Sequence, residues 1–69
     1  MTREELLDRA SYELEARVYA RFGNLADWYR GRDYGKALLA GEEGTRPVNE
    51  LVARTAEDLV AELRELYAL

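Results

Sequence analysis

The chain has 69 residues, which is enough for one small domain and too few for a large hydrophobic core. Hydrophobic residues make up 48% and charged residues 35%, with a net charge of −4, which excludes a disordered tail and argues against general binding of nucleic acid or anionic membranes. Because the sequence has neither Cys nor His, disulfides, thiolate zinc sites and histidine general bases are also excluded. We therefore expect a single domain over residues 1–69, held together by packed helices or by self-association.

The N-terminus is charged from its first residues, and no run approaches the roughly 20 apolar residues of a membrane span. These features predict a cytoplasmic protein that does not associate with membranes.

The first predicted helix runs from Thr2 to Phe22. Thr2 and Glu5 have the spacing of a capping box, in which the Thr hydroxyl and the Glu carboxylate bind the unpaired backbone amides. Apolar residues then recur every three or four positions and form a core-facing stripe. The stripe consists of Leu7, Ala10, Leu14, Val18 and Phe22. Gly23 is expected to end the helix in the left-handed conformation.

The middle segment is less regular than its neighbours. Asn24 is predicted to cap a new helix, whereas Gly31 and Gly35 each weaken a helix by about 1 kcal/mol relative to Ala. Asp33 is a candidate cap for a short second piece, and Gly41 is a candidate stop. The pattern therefore indicates a middle helix that is either kinked or broken in two.

The last predicted helix starts at Thr45 and Pro47, because proline is tolerated in the first turn of a helix, and it reaches almost to the C-terminus. Its apolar face comprises Val48, Val52, Ala56, Leu59, Leu63 and Leu66, flanked by Leu51, Val60 and Tyr67. No stretch alternates with the period of a β-strand. The sequence thus predicts an all-α domain with two long amphipathic helices bridged by the middle helix, a three-helix bundle or a decorated helical hairpin.

Residues 28–36 form the most distinctive segment, since they include the only Trp and three of the ten basic residues. Trp, Tyr and Arg are enriched at the hot spots of protein interfaces, and the same mixture is typical of platforms that bind single-stranded nucleic acid. The alternative role is structural, with Trp28 closing the open end of the helical pair while the Arg side chains reach solvent. The predicted partner-binding residues are Trp28, Tyr29, Arg30, Arg32, Tyr34 and Lys36.

Tyr12 and Tyr19 lie seven residues apart, on the side of the first helix that faces away from its apolar stripe. Since two helices and an irregular segment make a small core, dimerisation would enlarge it. We therefore predict that Tyr12 and Tyr19 mediate self-association into a homo-oligomer.

From the remaining polar residues, the sequence predicts no catalytic residue, no metal site and no cofactor. Carboxylate pairs such as Asp58 and Glu62 have nearby Arg residues to pair with, and Ser11, the only Ser, has no His to activate it. The sequence therefore favours a non-enzymatic protein–protein interaction or regulatory module, of the inhibitor, antitoxin-like or adaptor type. The alternative is a nucleic-acid-associated protein that uses residues 28–36.

Overall fold

Three α-helices make up the chain in a computed structural model that describes all 69 residues. They are α1 (Arg3–Arg21), α2 (Leu25–Leu39) and α3 (Glu50–Leu66), and the chain has no β-strand. Each helix packs against the other two, in a bundle that measures 34 × 22 × 15 Å. The predicted all-α fold is confirmed. No helix combines the length and the apolar character needed to cross a membrane.

Helix α1 begins as predicted, because the Thr2 hydroxyl accepts a hydrogen bond from the amide of Glu5 at 3.2 Å. The second half of the predicted capping box is not formed, since the Glu5 carboxylate accepts from the Thr2 hydroxyl instead of from a backbone amide. Its C-terminus differs from the prediction. The capping residue Phe22 has an extended backbone, and Gly23 does not adopt a positive φ. The Phe22 side chain packs against the core. The extended backbone of Phe22 then leads through Gly23 to Asn24, the residue that caps α2.

Helix α2 is continuous, so the predicted second piece capped by Asp33 is wrong. Its two glycines are buried where helices approach each other closely. A Cβ atom on Gly31 would lie 3.3 Å from methyl carbons of Val18 and Val52, and one on Gly35 would lie 2.9 Å from Leu14. The glycines therefore allow close packing of α2 rather than breaking it.

Gly41 ends α2 as predicted, since it adopts the left-handed conformation with φ of 77°. The amide of Gly41 donates to the carbonyl of Leu38, and the amide of Glu42 donates to that of Ala37. This pair of hydrogen bonds is a Schellman motif.

Helix α3 begins later than predicted. The side chain of Asn49 accepts hydrogen bonds from the amides of Leu51 and Val52, whereas Thr45 and Pro47 belong to the segment between α2 and α3. The predicted start at Thr45 and Pro47 is therefore wrong. Two predicted members of the apolar face, Val48 and Leu66, are exposed because one precedes the helix and the other is its last residue.

The core is built from the predicted faces of α1 and α3, together with residues of α2. Its main cluster contains Ala10, Leu14, Val18, Leu39, Leu59, Val60 and Leu63. A smaller cluster joins Tyr34 of α2 to Ala53 and Ala56 of α3.

Candidate interaction surface

The continuous helix α2 divides the predicted partner-binding residues among three directions, because residues three or four apart share a face of a helix. Tyr34 is buried, and its hydroxyl donates a hydrogen bond to Glu57 of α3 at 2.6 Å. Arg30 lines a cleft between α2 and residues 45–48. Tyr34 and Arg30 therefore do not share a face with the other four predicted residues. Of the remaining four, Trp28 and Lys36 contact α1, and Arg32 packs against the rings of Trp28 and Tyr29.

Contacts between α1 and α2 join Trp28 to Tyr19 and Lys36 to Glu15, and Tyr12 lines the same groove as Tyr19 and Trp28. The Tyr19 ring meets Trp28 edge to face at a centroid distance of 5.7 Å, and the Lys36 ammonium lies 3.0 Å from the carboxylate of Glu15. The two surfaces predicted separately for a partner and for self-association are therefore one surface. We call it the aromatic face and define it as Tyr12, Tyr19, Trp28, Tyr29 and Arg32.

Arg32 orders the α2 part of the aromatic face. Its guanidinium carbon lies 4.9 Å from the ring centroid of Trp28 and 4.7 Å from that of Tyr29. The Nε and Nη2 groups of Arg32 donate to one carboxylate oxygen of Asp33, while Nη1 donates to no group of the chain. These cation–π contacts hold the two rings in place in the free chain.

The five tyrosines fall into two groups according to their hydroxyls. Tyr34 and Tyr67 donate hydrogen bonds to the carboxylates of Glu57 and Glu13 at 2.6 and 2.7 Å, and these bonds raise the pKa of both tyrosines. The hydroxyls that make no hydrogen bond within the chain are those of Tyr12, Tyr19 and Tyr29. The free hydroxyls thus all lie on the aromatic face.

A shallow groove of about 280 Å³ crosses the α1 half of the aromatic face. Tyr12, Ala16 and Tyr19 lie along it, and Glu15 and Trp28 complete its lining. The site residues predicted from the sequence include both tyrosines but neither Glu15 nor Ala16. Glu15, Ala16 and Tyr19 lie three, four and seven positions after Tyr12, and this spacing is the signal that places them on the same side of α1.

Trp28 combines features of both roles predicted for it. Its side chain packs against the core cluster, while its ring also contacts Tyr19 and Tyr29 on the aromatic face. Its indole Nε1 is buried and has no hydrogen-bond partner. A buried donor of this kind normally finds an acceptor, and leaving it unpaired costs about 1–3 kcal/mol.

No group of three or more Asp or Glu side chains comes together in an arrangement that would hold a metal ion. Comparison of the chain with protein-family models, curated proteins and solved structures finds no match. The functional interpretation therefore rests on the aromatic face itself.

Proposed function

We propose that the chain is a non-enzymatic protein-binding module and that its partner docks on the aromatic face. The observation that carries this proposal is the exposure of three tyrosines around one tryptophan. Tyr12, Tyr19 and Tyr29 remain 79%, 68% and 44% exposed. Aromatic side chains grouped with Arg are the typical anchors of protein interfaces. A module of this kind acts by occupying its partner, as an inhibitor, an antitoxin-like protein or an adaptor does.

The charges around the aromatic face favour a protein partner over a nucleic acid. Arg32 is paired with Asp33, and Lys36 is paired with Glu15. Proteins that bind single strands instead use cations that are free to neutralise phosphates. The face is locally neutral, and the whole chain carries a net charge of −4.

The size of the face favours a short segment of the partner over a rigid globular surface. At about 200 Å² for each ring, the exposed parts of the three tyrosines amount to about 400 Å². A standard interface between two folded proteins buries about 800 Å² on each side. A short segment of a partner contacts a smaller area than a folded domain does, so it matches a face of this size.

Selection from a display library of random dodecapeptides tests this proposal with the chain as the immobilised target. We expect the selected peptides to lose about tenfold or more in affinity when Tyr12 or Tyr19 is replaced by Ser, since anchor residues contribute more than about 1 kcal/mol. Leu51→Ser is the matched control, because Leu51 is an exposed apolar residue of α3. A selection that yields no binder, or binders that depend on Leu51 instead, would contradict the proposal.

Two charge reversals on α2 provide a second comparison. Arg32→Glu removes the cation that stacks on both rings, whereas Arg30→Glu changes a residue in the cleft on the other side of the helix. We expect only Arg32→Glu to weaken the selected peptides. Equal effects of the two reversals would show that the aromatic face is not the docking surface.

The nucleic-acid alternative has its own measurement. Fluorescence anisotropy of a labelled single-stranded oligothymidine should show no binding at physiological salt. Binding that weakens steeply as salt rises, and that requires Trp28 or Tyr29, would replace the protein-binding proposal with the nucleic-acid one.

A further inference from the structure

We infer that the segment bound by the aromatic face is proline-rich and adopts the polyproline II conformation. This inference rests on the proposed function and specifies its ligand. The occupant is a segment of another protein, because this chain contains a single proline, Pro47, and that residue is buried between α2 and α3.

The first observation is the spacing of the two tyrosines along α1. Tyr12 and Tyr19 are seven residues apart, which corresponds to about 10.5 Å along a helix that rises 1.5 Å per residue. A polyproline II helix repeats every three residues, over about 9.3 Å. Two prolines three positions apart therefore reach the two rings, and the methyl group of Ala16 leaves room for the residues between them.

The second observation is the balance of donors and acceptors on the face. The free hydroxyls of Tyr12 and Tyr19 and the unused Nη1 group of Arg32 are all able to donate. One oxygen of each carboxylate at the edge of the face, in Glu15 and Asp33, accepts from Lys36 or Arg32. The face thus presents three donors that no group of the chain satisfies. The backbone of a polyproline segment offers only acceptors to them, since proline has no N–H and the carbonyls of this helix make no internal hydrogen bonds.

The other common modes of peptide recognition fit this surface less well. An α-helix satisfies most of its carbonyls internally, so its backbone offers fewer acceptors to the donors of the face. Strand addition needs the edge of a β-sheet, and this fold has no strand. Proline-rich segments, by contrast, dock in grooves lined by aromatic rings.

The unpaired indole of Trp28 adds a third observation. Its N–H has no acceptor in the free chain, although the ring borders the groove. A small rotation that brings this N–H to a peptide carbonyl would satisfy the buried donor and so favour the bound state. Trp28 is therefore the residue whose environment should change most on binding.

Titration with a blocked decaproline peptide tests the inference directly. Trp28 is the only tryptophan, so its fluorescence reports on the groove without labelling. We expect a saturable change in emission with decaproline. We expect none with a Gly-Ser peptide of equal length or with an amphipathic helical peptide. No saturable change at millimolar decaproline, or tighter binding of the helical peptide, would overturn the inference.

Variants of the two tyrosines separate the ring contacts from the hydrogen bonds. Tyr12→Ala and Tyr19→Ala should each weaken decaproline by about tenfold, and Leu51→Ala should leave its affinity unchanged. Tyr12→Phe and Tyr19→Phe keep the rings and remove the hydroxyls, so a smaller loss is expected from each. Circular dichroism melts of every variant establish that the fold is retained. Equal affinity of the Ala variants and the native chain would contradict the inference.

The inference and the proposed function fail in different ways. If the library selection yields peptides that require Tyr12 and Tyr19 but contain no proline, the protein-binding function stands and the polyproline inference is wrong. If no selected peptide requires the aromatic face, both are wrong.

Discussion

Glu57 accepts hydrogen bonds from two side chains that reach it from different parts of the chain. Arg46 approaches from the segment between α2 and α3 at 3.1 Å, and the Tyr34 hydroxyl approaches from α2 at 2.6 Å. These bonds, that of Arg46 first, hold the pKa of Glu57 below its usual value. A single carboxylate thus ties the connecting segment to two helices.

These hydrogen bonds to Glu57 make stability depend on pH. Because the folded-state pKa of Glu57 is lowered, its contribution is present above the unfolded pKa of about 4.3 and is lost as pH falls through the folded value. We expect Glu57→Gln to lower the melting temperature at pH 7, with the difference from the native chain shrinking as the pH falls below 4.3.

Glu65→Gln is the control, because the Glu65 side chain makes no hydrogen bond. Its effect on the melting temperature should be small at pH 7 and below pH 4.3 alike. A Glu57→Gln effect that does not change with pH would contradict the predicted role of the carboxylate.

Leu59 and Leu51 provide a matched pair for the core. Both are leucines of α3, but Leu59 is 3% exposed and Leu51 is 69% exposed. Leu59→Ala should lower the free energy of unfolding by about 2–5 kcal/mol, a large share of the stability of a small domain. Leu51→Ala should change it by less than about 0.5 kcal/mol. Urea unfolding measures both, and similar midpoints for the two variants would show that the buried face of α3 is assigned incorrectly.

At the scale of the element, the start of α3 depends on Asn49. Its side chain accepts from two backbone amides of the first turn, whereas the hydroxyl of Thr45 makes no hydrogen bond. Asn49→Ala should therefore cost about 1 kcal/mol and lower the melting temperature by about 4–8 °C. Thr45→Ala, the control, should have little effect. A larger loss of stability in Thr45→Ala than in Asn49→Ala would instead support the helix start predicted from the sequence.

The helices themselves follow from the sequence because their apolar stripes are long and regular. The details of the middle helix do not, since Gly31 and Gly35 read locally as helix-weakening residues. What decides their role is the approach of Leu14, Val18 and Val52 to within 2.9–3.3 Å of a would-be Cβ, a feature of the tertiary packing. Likewise, the start predicted at Thr45 and Pro47 is replaced by Asn49, whose capping hydrogen bonds are seen only in the structure.

The aromatic face was only partly predictable for the same reason. Composition identified Trp28, Tyr29 and Arg32, but a contiguous window also included Arg30 and Tyr34. Sorting these residues requires knowing that α2 is continuous, because only then does the helical period assign each one a face. The contact between Tyr19 and Trp28 joins two helices, so no local pattern contains it.

For the whole molecule, a shared aromatic face predicts that self-association and the proposed partner binding exclude each other. Tyr12 and Tyr19, the residues predicted to contact a second copy, also line the groove proposed for the peptide. The exposed tyrosine area of about 400 Å² is below what a stable dimer buries on each side, so any association of free chains is expected to be weak.

Sedimentation equilibrium over a range of protein concentrations measures this association. We expect the average mass to exceed that of the monomer only at high concentration, with the melting temperature rising in parallel because association stabilises by mass action. Tyr12→Ser should abolish the increase in mass, and Leu51→Ser should leave it unchanged. Decaproline should lower the mass of the native chain towards that of the monomer, because peptide and second copy occupy the same rings. A dimer that persists in Tyr12→Ser and in the presence of peptide would place self-association on another surface, and a monomer mass at every concentration would remove it.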